Sequence, residues 1–318
     1  MLMAVILLLV GFVLLIKGAD FFVDGSSAVA KILKVPALII GLTIVAMGTS
    51  LPELSVSITA SMAGSNALAV SNVIGSNIFN LMVVLGASAL MAPLYVSKDV
   101  LKKDFPFSVG CAVLLLILGY IEMELRRYDG LIFLVLFICF IAYQIHSAKK
   151  ARKAALEAGN AADDEDEIKN IPLWLAFIYI VGGAVAVKFG GDFVVNSAKE
   201  IAAFFGLSEN LIGLTIVALG TSLPELVTSV VAARKNQLDM AIGNVVGSNV
   251  FNILMILGVA AAVSPISFIM ENVIDIVVLL GFSLLVWLMC FLRKKLDKLE
   301  GAIMLLGYAG YMVYIIMR

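Results

Sequence analysis

The feature that most constrains this chain is the motif GTSLPE, which occurs at 48–53 and again at 220–225. Each copy lies inside a long apolar run, and the wider segments 41–54 and 213–226 differ at a single position. Polar and ionisable groups are costly inside a bilayer, so their presence in apolar spans indicates a functional site. The fold must therefore give two glutamates, four hydroxyls and two prolines a purpose within the membrane.

The composition predicts a membrane protein. Of 318 residues, 62% are hydrophobic and 14% are charged, whereas soluble domains carry about 25% charged residues. Ten apolar segments can be drawn, and each is close to the ~20 residues that a membrane-spanning helix needs. These segments are 2–25, 37–62, 67–91, 105–122, 130–147, 172–197, 209–233, 239–265, 273–292 and 300–317.

The two halves of the chain align without a gap at an offset of 172 residues. NVIGSNIFN at 72–80 matches NVVGSNVFN at 244–252, and internal symmetry of this kind is typical of transporters built from repeats. Five spans per half is an odd number, so the second half crosses the membrane in the opposite direction. We therefore expect a first five-helix repeat at 1–147, a charged linker at 148–170 and a second, inverted repeat at 171–318.

The distribution of basic residues predicts the orientation. Sixteen Lys and Arg residues fall in loops that follow odd-numbered spans, and the opposite side has only Arg126, Arg127, Lys199 and Arg318. Loops rich in Lys and Arg stay cytoplasmic. The sequence thus predicts a cell-membrane protein with both termini outside and the linker 148–170 in the cytoplasm.

The residues of the repeated motif have the chemistry of a cation site. Pro52 and Pro224 interrupt their helices and free backbone carbonyls, while Thr49 and Ser50 share a helix face with Glu53 because they lie four and three residues before it. The following spans carry further hydroxyls and amides. Hard cations such as Ca²⁺ prefer such an all-oxygen environment. The candidate side chains are Glu53, Glu225, Thr49, Ser50, Ser76, Asn80, Thr221, Ser222, Ser248 and Asn252.

Two buried glutamates need a partner. One such residue costs ~2.5–3.5 kcal/mol on insertion scales, and two at close range also repel each other, whereas a divalent cation between them cancels both charges. A proline kink that serves packing, or a glutamate that is protonated or reaches the interface, would explain one copy of the motif. Two copies in matching surroundings favour a binding site.

With these residues in view, the chain resembles the sodium/calcium exchanger family of the calcium/cation antiporter superfamily, in a prokaryotic form. GTSLPE at 48–53 and 220–225 carries the resemblance, together with GSNIFN at 75–80 and GSNVFN at 247–252. The resemblance implies an all-α polytopic membrane protein with ten transmembrane helices in two inverted five-helix repeats. Broken helices 2, 3, 7 and 8 would surround a midplane cation site, and spans one and six would slide against that bundle.

The resemblance also implies roles for particular residues. Glu53 and Glu225 would be the central ligands of both Ca²⁺ and Na⁺, and the Thr and Ser residues already named would flank them. The carbonyls of Ala46 and Ala218 would contribute as well, and Asn80 occupies its expected place. Some members, including potassium-dependent ones, have Asp where this chain has Asn252, so a potassium requirement is not expected. Whether position 252 binds an ion or its water stays open.

The function expected from these residues is secondary antiport of Na⁺ and Ca²⁺ by alternating access, with Ca²⁺ extruded and charge moved. A Ca²⁺/H⁺ antiporter with the same site is the alternative, because glutamates can carry protons. A channel is disfavoured, since channels usually build their filters as rings across subunits. No enzymatic activity, cofactor, nucleic acid or obligatory protein partner is expected; the partners are Ca²⁺, Na⁺ and the lipid bilayer.

Overall fold

A computed structural model describes residues 1–62, 66–157, 171–205 and 218–317, and these residues are almost entirely helical. Helices satisfy their own backbone hydrogen bonds, as a bilayer requires. The first half contains α1 (Leu2–Leu33), α2 (Ala37–Thr49), α3 (Leu51–Met62), α4 (66–91), α5 (Val100–Glu122) and α6 (Arg127–Glu157). The second half contains α7 (Leu173–Phe204), α8 (Ala218–Gly220), α9 (Leu223–Arg234), α10 (Leu238–Val263), α11 (Met270–Arg293) and α12 (Lys298–Met317).

The described residues include eight helices that are long and apolar enough to cross a membrane, and a ninth candidate formed by the bent pair α2 and α3. The protein is thus a multi-pass membrane protein. The predicted seventh span, 209–233, lies partly outside the described residues. Its described part contains α8 and α9. Helix α6 continues to Glu157 and so enters the segment assigned to the linker.

The predicted breaks take two forms. Helices α2 and α3 meet at Ser50 with a bend of 45°, and α8 is separated from α9 by two non-helical residues, Thr221 and Ser222. Spans 3 and 8 are not cut in two: α4 and α10 continue through π-helical turns at Asn80–Val84 and Asn252–Leu257. Neither α4 nor α10 contains proline, and each is distorted by a wide turn, a form often found at functional sites.

Two short antiparallel ribbons join the halves of the chain. Strand β1 (Leu94–Tyr95) pairs with β4 (Lys295–Leu296), with Leu94 opposite Leu296. Strand β2 (Glu124–Leu125) pairs with β3 (Ile266–Ser267), with Leu125 opposite Ile266. Each ribbon takes one strand from each half, so the two halves are tied to one another through backbone hydrogen bonds at both.

Helices α1 and α7 form a long antiparallel pair that is packed through glycines. A Cβ atom added at Gly18 would lie 3.0 Å from the carbonyl oxygen of Gly183, and one added at Gly183 would lie 2.7 Å from that of Gly18. Gly11 meets Gly190 in the same way at 2.9 Å. Small residues let membrane helices approach closely where no hydrophobic force draws them together.

Helices α4 and α10 form the centre of the bundle and are the most deeply buried spans. Helix α2 packs directly on α10: a Cβ atom added at Gly41 would lie 2.6 Å from the carbonyl oxygen of Met240, and one at Gly247 would lie 2.5 Å from that of Leu42. This contact crosses from the first half to the second. It brings the break after α2 against the centre of α10.

Candidate cation-binding site

The two motif glutamates meet at the centre of the molecule. Glu53 and Glu225 are both 0% exposed. Ser222 Oγ donates a hydrogen bond of 2.9 Å to Glu53 Oε1, and Ser50 Oγ donates one of 2.7 Å to Glu225 Oε1. The serine of each half therefore binds the glutamate of the other half, and the two motifs build one site together.

The local backbone explains how the side chains come to lie there. Ser50 (φ −84°, ψ 12°) and Ser222 (φ −93°, ψ 8°) have nearly the same non-helical conformation, and each is followed two residues later by proline, which cannot continue a helix from the preceding turn. Glu53 and Glu225 then fall in the first turn of α3 and of α9. The partial positive charge of a helix N-terminus favours a carboxylate at that place.

Several polar atoms around the glutamates are buried without a hydrogen-bond partner among the described residues. An unpaired buried polar group costs about 1–3 kcal/mol, and more if it is charged. Most of these atoms are oxygens on residues that the sequence analysis selected, so the donor set fits a hard cation. They are Glu53 Oε2, Glu225 Oε2, Ser76 Oγ, Thr221 Oγ1, Asn252 Oδ1 and both polar atoms of Asn80.

The carbonyl oxygen of Ala46 already has protein partners. It accepts the backbone N–H of Ser50 at 3.1 Å and lies 3.3 Å from Thr49 Oγ1 and 3.5 Å from Ser248 Oγ. A carbonyl oxygen has two lone pairs, so one stays available when a single donor uses it. Ala218 is the first residue of α8, and a role for its carbonyl stays a prediction.

Paired asparagines join α4 to α10 beside the glutamates. Asn77 Nδ2 donates to the carbonyl of Asn249 at 3.2 Å, and Asn249 Nδ2 donates to the carbonyl of Asn77 at 3.3 Å. Asn252 Nδ2 donates to Asn77 Oδ1 at 3.0 Å, which leaves Asn252 Oδ1 as one of the unpartnered oxygens. These bonds fix the rotation of the two central helices around the site.

Two asparagines at the site were missed by sequence reasoning. Asn72 Nδ2 donates to Ser57 Oγ at 3.1 Å, and Asn244 Nδ2 donates to Ser229 Oγ at 2.9 Å. Asn244 also contacts Thr49, whose Oγ1 lies 3.2 Å from Asn244 Oδ1. The signal was available, because both asparagines open the nine-residue segments that match between the halves.

The surroundings of the site differ on its two sides. A cavity of about 170 Å³ lies against the breaks and is lined by Thr221, Pro52 and Pro224 together with Asp192 and Asn196 of α7. Asn196 is exposed, so this cavity reaches the surface. Within the described ranges no group of three or more His, Cys, Asp and Glu side chains could hold a metal ion.

Toward the other end of α9, an ion pair bridges α9 and α1 beside a cavity of about 340 Å³ that is lined by Asp20, Arg234 and Lys235. Lys235 Nζ lies 2.6 Å from Asp24 Oδ1, 3.3 Å from Asp20 Oδ1 and 2.9 Å from the carbonyl oxygen of Asp20. A lysine on α7, Lys188, pairs instead with Asp192 of its own helix at 2.6 Å. Of these two lysines, only Lys235 ties two separate elements together.

Two halves that each contribute the same motif to one buried carboxylate site form the arrangement of a secondary cation transporter. The chain belongs to the sodium/calcium exchanger family: the family described as sodium/calcium exchanger protein matches residues 3–146 and 175–317. Members of this family are membrane transporters and not enzymes.

Individual relatives match over nearly the whole chain. The putative antiporter CaxA of Alkalimonas amylolytica is 39% identical, with 98% of each protein covered. The sodium/calcium exchanger MaX1 of Methanosarcina acetivorans is 31% identical, with 97% of each covered. A solved structure of the sodium-calcium exchanger NCX_Mj, soaked with Na⁺ and Sr²⁺, superposes with a TM-score of 0.84 at 31% identity and covers 98% of both chains.

Proposed function

We propose that the protein is a secondary antiporter that exchanges Na⁺ for Ca²⁺ by alternating access. The observation that carries this proposal is the crosswise pairing of Ser50 with Glu225 and of Ser222 with Glu53. Because both halves contribute to one site, sliding of spans one and six against the remaining spans would change the access to the ion from either side. The relatives named as sodium/calcium exchangers support the choice of ions.

The shared carboxylates make binding of the two ions mutually exclusive. Glu53 and Glu225 together balance the charge of one Ca²⁺. The same oxygens would serve Na⁺ when Ca²⁺ leaves, so that transport of one ion depends on the other. Three Na⁺ for one Ca²⁺, the ratio implied by the resemblance, would move one net charge per cycle, worth about 2.3 kcal/mol per 100 mV. We expect exchange to be electrogenic and to extrude Ca²⁺.

The proposed ligands combine the glutamates with the oxygens that surround them. The Oε2 atoms of Glu53 and Glu225 face no protein donor among the described residues, and Ser76, Thr221, Asn80 and Asn252 present further free oxygens. Asn252 Oδ1 is placed to bind an ion directly, because the amide nitrogen is already held by Asn77. The complete proposed set is Glu53, Glu225, Thr49, Ser50, Ser76, Asn80, Thr221, Ser222, Ser248 and Asn252, with the carbonyls of Ala46 and Ala218.

We place both termini outside and the linker 148–170 in the cytoplasm, between the repeats 1–147 and 171–318. The two ribbons support the alternation of the spans. Strands β1 and β4 follow spans 3 and 9, and strands β2 and β3 follow spans 4 and 8. Each ribbon therefore joins two loops that the count of spans assigns to the same side of the membrane.

The experiment that tests this function is ⁴⁵Ca²⁺ uptake into proteoliposomes that hold the full-length protein. The vesicles are loaded with Na⁺ and diluted into Na⁺-free, K⁺-free buffer at constant pH. We expect uptake that requires internal Na⁺ and increases with an inside-positive potential, because three Na⁺ leaving for each Ca²⁺ that enters carry net positive charge out of the vesicle. Uptake driven only by an acidic interior would instead assign the chain to Ca²⁺/H⁺ exchange.

A further inference from the structure

Asn244 connects the two halves at the edge of the proposed site. It is 0% exposed, its Nδ2 donates to Ser229 Oγ at 2.9 Å, and its Oδ1 lies 3.2 Å from Thr49 Oγ1. Ser229 lies on α9, Asn244 on α10 and Thr49 on α2. We call these three residues the relay. Asn244 is not among the proposed ion ligands, so its buried amide requires another explanation.

The direction in which the hydroxyl proton of Thr49 points explains the buried amide of Asn244. Thr49 Oγ1 lies 3.1 Å from the carbonyl oxygen of Val45, 3.3 Å from that of Ala46 and 3.2 Å from Asn244 Oδ1, but a hydroxyl has only one proton to donate. A helical threonine usually donates to the carbonyl of the preceding turn. Asn244 offers a competing acceptor on another helix.

The choice of acceptor decides which lone pairs a cation can use. If the proton of Thr49 points to Asn244, the hydroxyl oxygen can turn its lone pairs elsewhere, and Thr49 does not compete with Ser50 N and Ser248 Oγ for the Ala46 carbonyl. The bond from Asn244 Nδ2 to Ser229 fixes the amide so that its oxygen, and not its nitrogen, faces Thr49.

The matching residues of the other half form an incomplete relay. Asn72 Nδ2 donates to Ser57 Oγ at 3.1 Å, as Asn244 does to Ser229. Thr221, the counterpart of Thr49, is instead half-buried; its Oγ1 is buried without a partner among the described residues, and the residue lines the cavity of about 170 Å³. The relay is therefore complete around Thr49 and open at Thr221, on the side where the cavity reaches the site.

We propose that Asn244 and Asn72 are positioning residues of the transport site. The side-chain oxygen of each asparagine accepts a hydrogen bond from its threonine hydroxyl, Thr49 for Asn244 and Thr221 for Asn72, while that side of the site is closed, and this bond breaks when that side opens. The asparagines thus orient Thr49 and Thr221 for the cation without touching it. This inference rests on the proposed function, because it assigns Thr49 and Thr221 as ligands.

The test is a double-mutant cycle between Asn244→Leu and Thr49→Ala. ⁴⁵Ca²⁺ uptake by Na⁺-loaded proteoliposomes gives the half-saturating Ca²⁺ concentration and the maximal rate of each variant. We expect Asn244→Leu to raise the half-saturating concentration about tenfold, the equivalent of one lost hydrogen bond, with a maximal rate changed by less than about twofold. Thr49→Ala should do the same, and the double variant should be no worse than either single one.

Two further variants keep the test decisive. Asn272→Leu is the matched control. Asn272 is also a buried asparagine that is hydrogen-bonded to a serine, Ser71, at 2.9 Å, but it lies outside the relay. This variant should leave the half-saturating Ca²⁺ concentration unchanged. If Asn244→Leu does not fold, Ser229→Ala releases the anchor of the amide and should raise that concentration about threefold, a part of one hydrogen bond.

The possible outcomes distinguish failure of the relay from failure of the proposed function. Additive effects of Asn244→Leu and Thr49→Ala, or a lower maximal rate at an unchanged half-saturating concentration, would show that Asn244 serves only structure. An unchanged half-saturating concentration in Ser229→Ala, when Asn244→Leu is unfolded, overturns the relay as well. If Thr49→Ala itself has no effect, the ligand assignment fails, and with it the basis of the relay; uptake that needs no Na⁺ contradicts the proposed function alone.

Discussion

At the scale of single residues, each motif serine hydrogen-bonds one oxygen of a glutamate and leaves the other oxygen without a partner. Ser50 and Ser222 each occupy one carboxylate oxygen of the opposite half, and the second oxygen of each glutamate has no partner among the described residues. A hydroxyl that donates to a carboxylate also holds the carboxylate in place. The free oxygens are thus presented in a fixed direction, which favours a cation that must fit between two rigid groups.

Replacing either serine should weaken this arrangement equally. Ser50→Ala and Ser222→Ala each remove a hydrogen bond to a charged group, worth about 1.5–3 kcal/mol. We expect each to raise the half-saturating Ca²⁺ concentration at least about tenfold in proteoliposome uptake. Ser88→Ala is the control, because Ser88 is a buried serine on α4 outside the site. A result for Ser50→Ala no different from that for Ser88→Ala would contradict the crosswise pairing.

Sequence reasoning found most of the residues of the site but few of their contacts. Glu53, Thr49 and Ser50 were identified because polar residues contrast sharply with an apolar span, and helical spacing showed that they share a face. Spacing within one helix does not say which side chain lies opposite, so the bond from Ser50 to Glu225 was not predicted. Asn244 opens the repeated segment 244–252, but spacing along one helix does not show that it lies between Thr49 and Ser229.

At the scale of helices, proline and its absence explain the form of the breaks. Pro52 and Pro224 follow the non-helical residues at the ends of α2 and α8, and the sequence predicted both places. No proline marks the π-helical turns that begin at Asn80 and Asn252. These turns begin at site residues. A wide turn changes the direction of the side chains without breaking the span, and no residue type in the sequence predicts such a turn.

The glycine contact between α1 and α7 gives a test with adjacent positions. A Cβ atom at Gly183 would lie 2.6 Å from the backbone nitrogen of Phe22, whereas one at Gly182 meets no atom within 4 Å among the described residues. Gly183→Ala should lower the free energy of unfolding by about 1–3 kcal/mol through overpacking. Gly182→Ala should be neutral or raise it by up to about 1 kcal/mol, because alanine favours helix.

Thermal unfolding of the purified variants in detergent micelles measures both changes. The wild-type protein and the two alanine variants are compared in the same detergent, so that the surrounding amphiphile cannot account for a difference. Equal shifts in Gly182→Ala and Gly183→Ala would show that the close approach of α1 to α7 does not hold in the folded protein.

At the scale of the whole molecule, the contacts at the two ends of the site differ. The cavity along α7 reaches Thr221, while the ion pair from Lys235 to Asp20 and Asp24 holds α1 against the end of α9. The repeat was visible in the sequence, but this asymmetry was not, since Lys235 and Asp24 are 211 positions apart. Halves with the same motifs thus adopt different arrangements at one time, as alternating access requires.

Loss of the ion pair between Lys235 and α1 should increase access to the site from that end of α9. Thr228 is fully buried on α9 between Glu225 and Lys235, so a cysteine there reports access from that end. In a Cys139→Ser background, which removes the exposed native cysteine, Lys235→Gln should speed labelling of Thr228→Cys by a water-soluble maleimide about fivefold, the effect of a partly exposed ion pair worth about 1 kcal/mol.

The matched control for this prediction is Lys188→Gln. Its ion pair with Asp192 lies within α7 alone, so its loss releases no contact between elements and should not change the labelling rate. Equal acceleration by Lys188→Gln and Lys235→Gln would show that the ion pair between α1 and α9 does not control access.

The most direct test of the central claim is whether Na⁺ and Ca²⁺ compete for the two glutamates. Equilibrium binding of ⁴⁵Ca²⁺ to the purified protein is measured at increasing Na⁺ concentrations, with Glu53→Gln and Glu225→Gln as variants and Glu200→Gln, at an exposed glutamate, as the control. We predict that Na⁺ raises the apparent Kd for Ca²⁺ without changing the number of sites, and that only the Glu53 and Glu225 variants lose binding while they remain folded. Binding that is indifferent to Na⁺, or that survives in both of these variants, would contradict a shared site.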